Sequence, residues 1–182
     1  MVNRMYKDKE FIMAKMSEVV LDTAQPRQDT RKKDITKLAE DILDETEDVE
    51  MWLKIVVESF PGLAQDMFLK RASLFFMMLF RRMVWFKHSI HKLPIPADYQ
   101  IPKILESEGC IQYSSKLKND ITEGKLIPKG SLMECEIRAA SIIACQQISQ
   151  GCNVTMCAVD DYIWMHRKEY DMPFHLTITT DY

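Results

Sequence analysis

Glycine is scarce in this chain, with five in 182 residues, and no G-x-x-x-x-G-K-[ST], G-x-G-x-x-G or G-x-S-x-G occurs. That removes the usual signals for phosphate-loop nucleotide hydrolysis, dinucleotide binding and serine hydrolysis. The five cysteines, Cys110, Cys135, Cys145, Cys152 and Cys157, are odd in number and form no C-x-x-C pair. Neither a disulfide framework nor a zinc ribbon is indicated, and a reducing, cytoplasmic setting is the simpler reading. Long apolar runs are also missing. The most apolar stretch, Leu74 to Phe80, is cut off by Arg81 and Arg82 well short of a bilayer-spanning length, so no membrane association is expected. The first residues alternate charged and apolar side chains without an apolar signal core, so no cleaved secretory leader is expected. With a formal net charge of -3 there is no electrostatic case for wrapping nucleic acid. Acidic residues are absent from Met67 to Ala97, where Lys70, Arg71, Arg81, Arg82, Lys87 and Lys92 all fall. Such a stretch suits a phosphate or simply a solvated helix face.

What is present is mostly helical patterning, and the expected class is mainly α with a short extended C-terminal tail. Phe11, Ile12, Met16, Val19 and Val20 give helical spacing near the start, followed by the charged residues 27–34. The expected organisation is an N-terminal helix and charged linker over residues 1–33 and a helical domain over 34–182. Ile35, Leu38, Ile42, Val49, Leu53 and Val56 recur on one face until Pro61-Gly62, predicting one or two helices. A central helix is predicted from about Leu63 to Ile90. The run Leu93-Pro94-Ile95-Pro96 is a stiff extended turn, because each proline fixes its own φ and pushes its predecessor out of the helical region. Pro102 suits the first turn of a short helix stopped at Gly109, and Ser114 suits the cap of a second one stopped at Gly124. Ser131-Leu132-Met133-Glu134 reads as a capping box opening a long helix through about Gln150. A further helix is expected over Val159 to Arg167, and Phe174 to Thr180 alternates like a short strand or extended tail.

The candidate chemistry centres on carboxylates. Asp98 follows the proline-stiffened turn at a helix start, where backbone N–H groups favour the ionised form. On spacing alone a plain N-cap is the simpler reading and a working carboxylate the other. Asp160 and Asp161 stand beside Tyr162 and Trp164, an arrangement that suits the donors of a nucleobase or merely solvates a helix face. Glu134 and Glu136 next to Arg138 admit an ion pair. His88 and His91 are three apart but no third ligand is suggested nearby, so no metal is expected.

Taken in order, the stretches Val56 to Pro61, Leu69 to Ala72, Ala97 to Pro102, Gly109 to Ser114, Glu134 to Ala139, Asp160 to Trp164 and Pro173 to His175, with Tyr182, resemble the queuosine salvage proteins. These act as queuosine 5′-phosphate N-glycosylase/hydrolases. The pieces A-D-Y-x-x-P and E-x-E-I-R-A carry the resemblance most specifically. It implies a core like that of helix-hairpin-helix DNA glycosylases, which agrees with the paired short helices around Gly109. It implies hydrolysis of queuosine 5′-phosphate to queuine without a cofactor or metal, in the service of tRNA modification. Asp98 matches the essential carboxylate. Tyr99 and Asp160 would line the deazaguanine and ribose pocket. Lys70, Arg138 and His175 would supply cationic contacts toward the 5′-phosphate or support the site. Glu136 would orient Arg138, and Asp161 would support the site.

The pattern also departs from the family. Pro96 and Gln100 stand where the family has phenylalanine and arginine around A-D-Y, Leu69 precedes Lys70 where it commonly has tyrosine, and Leu176 replaces an arginine. Residues 11–22 resemble the family's extreme N-terminus, so its middle section is expected to be missing. The alternative reading is therefore a shortened, non-catalytic relative that binds a nucleotide or a protein partner, with an exposed apolar wall that promotes self-association. A helix-hairpin-helix module on DNA is a third reading, which the balanced charge disfavours.

Overall fold

The computed structural model describes residues 48–182, residue 84 excepted. The N-terminal helix, the charged linker and the first part of the next segment lie outside the described residues. Among the described residues there are seven α-helices, one short 3-10 turn and no strand beyond a single bridge. No helix among them is long and apolar enough to cross a membrane.

Helix α1 (Val49–Ser59) starts where the Asp48 carboxylate accepts the Glu50 amide at 3.1 Å. It buries Val49, Trp52 and Val56, one helical face spaced three and four apart. Phe60-Pro61 ends it, and α2 (Pro61–Ala64) opens with proline in its first turn, where the missing N–H is harmless.

The central helix is shorter than its apolar composition predicts. Helix α3 runs Lys70–Met83, not Leu63 to Ile90. At its start the Asp66 carboxylate takes the amides of Phe68 (3.1 Å) and Lys70 (2.8 Å), and Leu69 turns left-handed at φ 50°. Beyond its end Phe86 adopts φ 63° and packs edge-on against Phe76, with centroids 5.4 Å apart. Left-handed backbone costs about 1–2 kcal/mol per residue, and burying Phe86 to 1 % exposure in an aromatic pair offsets it. A 3-10 turn (Ile90–Lys92) follows, and the Ser89 hydroxyl accepts the Val49 amide at 2.9 Å, fastening this turn to α1.

The proline-rich turn buries Leu93, Ile95 and Ala97 and delivers the chain into α4 (Gln100–Ser107), whose Ile101, Ile104 and Leu105 are buried. Gly109 at φ 71° ends α4, as expected of a residue free of the Cβ penalty. Ser114 caps α5 (Ser115–Thr122) by accepting the Leu117 amide at 3.3 Å.

Helix α6 (Leu132–Cys152) opens on Ser131, whose hydroxyl accepts the Glu134 amide. The reciprocal half of the box is displaced by one residue: Glu134 Oε2 accepts from the amide of Gly130, not Ser131, at 3.1 Å. Asn153 in left-handed conformation stops α6, and Thr155 caps α7 (Met156–His166). Helix α4 packs on α6 and α7, while α1 packs on α2 and α3. The tail after Pro173 is extended, with one parallel bridge between Leu176 and Leu126.

Candidate active site

Asp98 leaves the proline-stiffened turn pointing inward and is 2 % exposed. Its Oδ1 accepts the Gln100 amide at 2.8 Å, so it does cap α4. Capping uses only part of the carboxylate. Oδ2 faces Lys70 Nζ at 3.7 Å, an ion pair longer than a hydrogen bond. Burial raises the Asp98 pKa above the ordinary carboxylate value, against the opposing pull of Lys70 and the amides of Gln100 and Ile101.

Asp160 comes from the buried side of α7 and is also 2 % exposed. Its Oδ2 accepts from Arg81 Nη2 at 2.8 Å, and the half-exposed Asp161 shares that nitrogen at 2.8 Å. Burial raises the Asp160 pKa. Arg81 opposes the rise, and the charges of Asp98 and Asp161 add to it. Oδ1 of Asp160 and Oε1 of Gln100 are buried acceptors without a protein partner, and buried acceptors of this kind call for a donor.

Arg138, from α6, is buried and heavily committed. Its Nη1 and Nη2 donate to the two oxygens of Asp66 at 2.8 and 2.7 Å, Nη1 also reaches Glu134 Oε1 at 3.3 Å, and Nε donates to the Ala97 carbonyl at 3.1 Å. Phe68 and Tyr182 place their rings 4.7 and 4.6 Å from the guanidinium carbon. Burial pushes the Asp66 pKa upward, but the Arg138 hydrogen bond and the amides of Lys70 and Phe68 outweigh it and leave a net lowering.

His175 is 2 % exposed, with Nε2 at 3.3 Å from the Tyr182 hydroxyl and Nδ1 unpartnered. Burial lowers its pKa to about 4, so it is neutral near physiological pH. Tyr99 stacks at a tilt on Phe174, centroids 4.6 Å apart.

Lys70 and Asp98 therefore meet, Asp160 joins them electrostatically, and Tyr99 flanks Asp98 in the chain. Arg138 and His175 lie in the adjoining network that includes Tyr182. Glu136 does not join. It is exposed, and the carboxylates that orient Arg138 are Asp66 and Glu134. The reason is helical: residues two apart point to opposite sides, whereas Glu134 and Arg138 at i, i+4 share a face. Sequence reasoning missed Asp66, Phe68 and Arg81. The adjacent Asp160-Asp161 pair called for a cation, but nothing in the spacing chose Arg81 among the basic residues of its stretch.

A mainly helical protein with a buried carboxylate beside a lysine is the class that fold and site define. The family model described as queuosine salvage protein matches residues 48–182, and the chain belongs to that family. Three similar proteins share the name queuosine 5′-phosphate N-glycosylase/hydrolase. The one from Schizosaccharomyces pombe is 36% identical over 84 residues, covering 44% of this chain and 24% of that protein. The one from Dictyostelium discoideum is 35% identical over 102 residues (51% of this chain, 32% of that protein). The one from Sphaerobacter thermophilus is 31% identical over 94 residues (47% and 29%). Each match spans less than a third of the relative's length.

Proposed function

We propose that this chain hydrolyses the N-glycosidic bond of queuosine 5′-phosphate, releasing queuine and ribose 5-phosphate, with Asp98 as the catalytic residue. The observation that carries the reading is the buried Asp98 carboxylate 3.7 Å from Lys70, together with a second buried carboxyl, Asp160, that keeps one oxygen free of protein partners. Cleavage breaks the bond between the anomeric carbon and the base nitrogen. The electron pair leaves with the base, and positive charge builds on the ribosyl ring. An ionised Asp98 stabilises that charge or orients the water whose oxygen forms the new bond, and the water's proton accounts for the one gained by the base. Asp160 accepts from the N–H donors of the deazaguanine. Tyr99, stacked on Phe174, packs against the ribose and base, and Lys70 contributes positive charge near Asp98 and toward the 5′-phosphate.

In the same reading Asp161 holds Arg81 against Asp160, and His175 acts as a neutral side chain. The five cysteines are all free thiols, which suits a cytoplasmic enzyme. Purified chain incubated with queuosine 5′-phosphate should release queuine, detected chromatographically, and Asp98→Asn should abolish the release. No release by the folded wild-type chain would refute the proposal.

Short coverage of the relatives favours a second reading, a non-catalytic relative that only binds. Met67, Leu132 and Ile178 are 71, 75 and 80 % exposed, which suits self-association. A concentration-dependent sedimentation coefficient together with nucleotide binding and no turnover is its signature.

A further inference from the structure

We infer that Asp66 and Arg138 are positioning residues that set the separation of Lys70 and Asp98; the inference rests on the reading of Asp98 as the working carboxylate. Lys70 and Asp98 come from different parts of the chain, and neither their 3.7 Å spacing nor its direction is fixed by their own contact, which is too long to be a hydrogen bond. The fixing lies one bond behind each of them. Asp66 Oδ2 accepts the Lys70 amide at 2.8 Å and pins the first residue of α3. Arg138 Nε donates to the Ala97 carbonyl at 3.1 Å, the peptide that leads directly into Asp98. Between these two anchors runs the paired contact of Asp66 with Arg138, at 2.7 and 2.8 Å.

The path from Lys70 to Asp98 therefore passes through a single planar, two-pronged ion pair. Both partners are almost wholly buried, with side chains 2 and 4 % exposed. Phe68 and Tyr182 stack on the guanidinium. Such a pair is stiff because charge-assisted bonds shorten and strengthen away from water, and because a guanidinium fork admits one geometry. Lysine in its place has one nitrogen and no fork, and cannot hold the Asp66 carboxylate and the Ala97 carbonyl together in that geometry. The buried pair is retained because it registers α3 against the Asp98 turn. Conformational registry of this kind is among the best attested uses of buried ionic groups.

The test uses the full chain with Arg138→Lys and, as an independent variant on the other side of the pair, Asp66→Asn. Ile121→Val, in the separate cluster of Ile121, Ile127 and Ile137, serves as the folded control of reduced stability. Two readouts are taken. The first is the titration of the Asp98 side-chain carboxyl by carbon NMR on aspartate-labelled protein. The groups acting on Asp98 are Lys70 from α3 and the amides of Gln100 and Ile101 at the start of α4, and Asp160 of α7 is the buried carboxyl on which Asp98 itself acts; all are unchanged in both variants. If the pair sets the lysine, the midpoint rises by about one pH unit in both variants and stays put in the control. The second is steady-state release of queuine, in which kcat falls about a hundredfold with KM within about threefold. An Asp98 midpoint equal to wild type in a folded variant overturns the inference, as does a kcat loss matched by the control. Absence of turnover in the wild type removes the proposed function instead, and the NMR arm still decides this inference.

Discussion

Lys70 Nζ stands 3.7 Å from Asp98 Oδ2, while the other Asp98 oxygen is occupied by the amide of Gln100. The carboxylate is held ionisable but under strain from burial, which one cation and two amides do not fully relieve. This tension between folding and readiness for chemistry has measurable consequences.

For Asp98 the sign is fixed by its raised pKa. A carboxyl whose folded pKa lies above its unfolded value contributes stability that is complete below the unfolded pKa and lost as pH rises through the folded one. Once ionised, the carboxylate therefore destabilises the fold relative to its protonated form. Asp98→Asn, which imitates the protonated form, should raise Tm, by about 2–4 °C for each kcal/mol gained, while removing activity. Differential scanning calorimetry at pH 7 and again near pH 4 checks it, and the gain should shrink at the lower pH. A fall in Tm at pH 7 would contradict the charge argument.

Arg81 is the cation that opposes the burial-driven rise of the Asp160 pKa. Replacement by glutamine should drive the Asp160 pKa further up, helped by the charges of Asp98 and Asp161. A protonated Asp160 loses the charge that strengthens its acceptance of a base's N–H groups and presents an O–H donor in place of one acceptor, so affinity for queuine should drop about tenfold, and more severely at pH 6 than at pH 8. Isothermal titration at the two pH values measures this, and equal affinity for variant and wild type at both would count against the role given to Asp160.

His175 acts in the opposite sense from Asp98. Its folded pKa of about 4 lies below the ordinary imidazole value of 6.5, so on acidification the unfolded chain takes up a proton that the folded chain refuses. The stability it contributes is present above pH 6.5 and is lost as pH falls toward 4, at a slope of at most about 1.4 kcal/mol per pH unit. His175→Gln should flatten the urea-midpoint profile across that window. A slope unchanged by the substitution would show that His175 does not remain neutral on folding.

Lys103 ties two helices without touching the carboxylate site. From α4 its buried amine donates to the carbonyls of Arg167 and Tyr170, just past the end of α7, at 3.2 and 3.1 Å. Lys103→Met keeps the apolar stem and leaves both carbonyls without that donor, which should cost about 1–3 kcal/mol. Urea unfolding with an unchanged m value should show it. No change in midpoint would mean that water replaces the amine at no cost.

Much of the helical order is local and could be read directly. Ser114 and Ser131 cap where their side chains can reach the next turn's amides, and Gly109 and Gly124 stop helices where φ must be positive. The central helix is shorter than its apolar run suggests because composition cannot say where a chain reverses. Phe86 turns back to meet Phe76, and Asp66 captures amides that would otherwise extend α3. In the site, Asp98, Asp160 and Lys70 were legible as charged residues within matching motifs. The partners of Arg138 were not, since Asp66 lies on a connection with no periodicity and Glu136 looked as suitable as Glu134.

By itself the sequence determined that these residues would form capped helices, broken at the prolines and left-handed glycines, and which family their motifs resemble, because those properties depend on neighbours within a turn or two. Only the tertiary structure decided that Asp66 rather than Glu136 grips Arg138, that Arg81 serves Asp160, and that Lys70 comes to Asp98. Each of those contacts joins distant parts of the chain through burial, and buried charges take whichever partner the packing brings within hydrogen-bond reach.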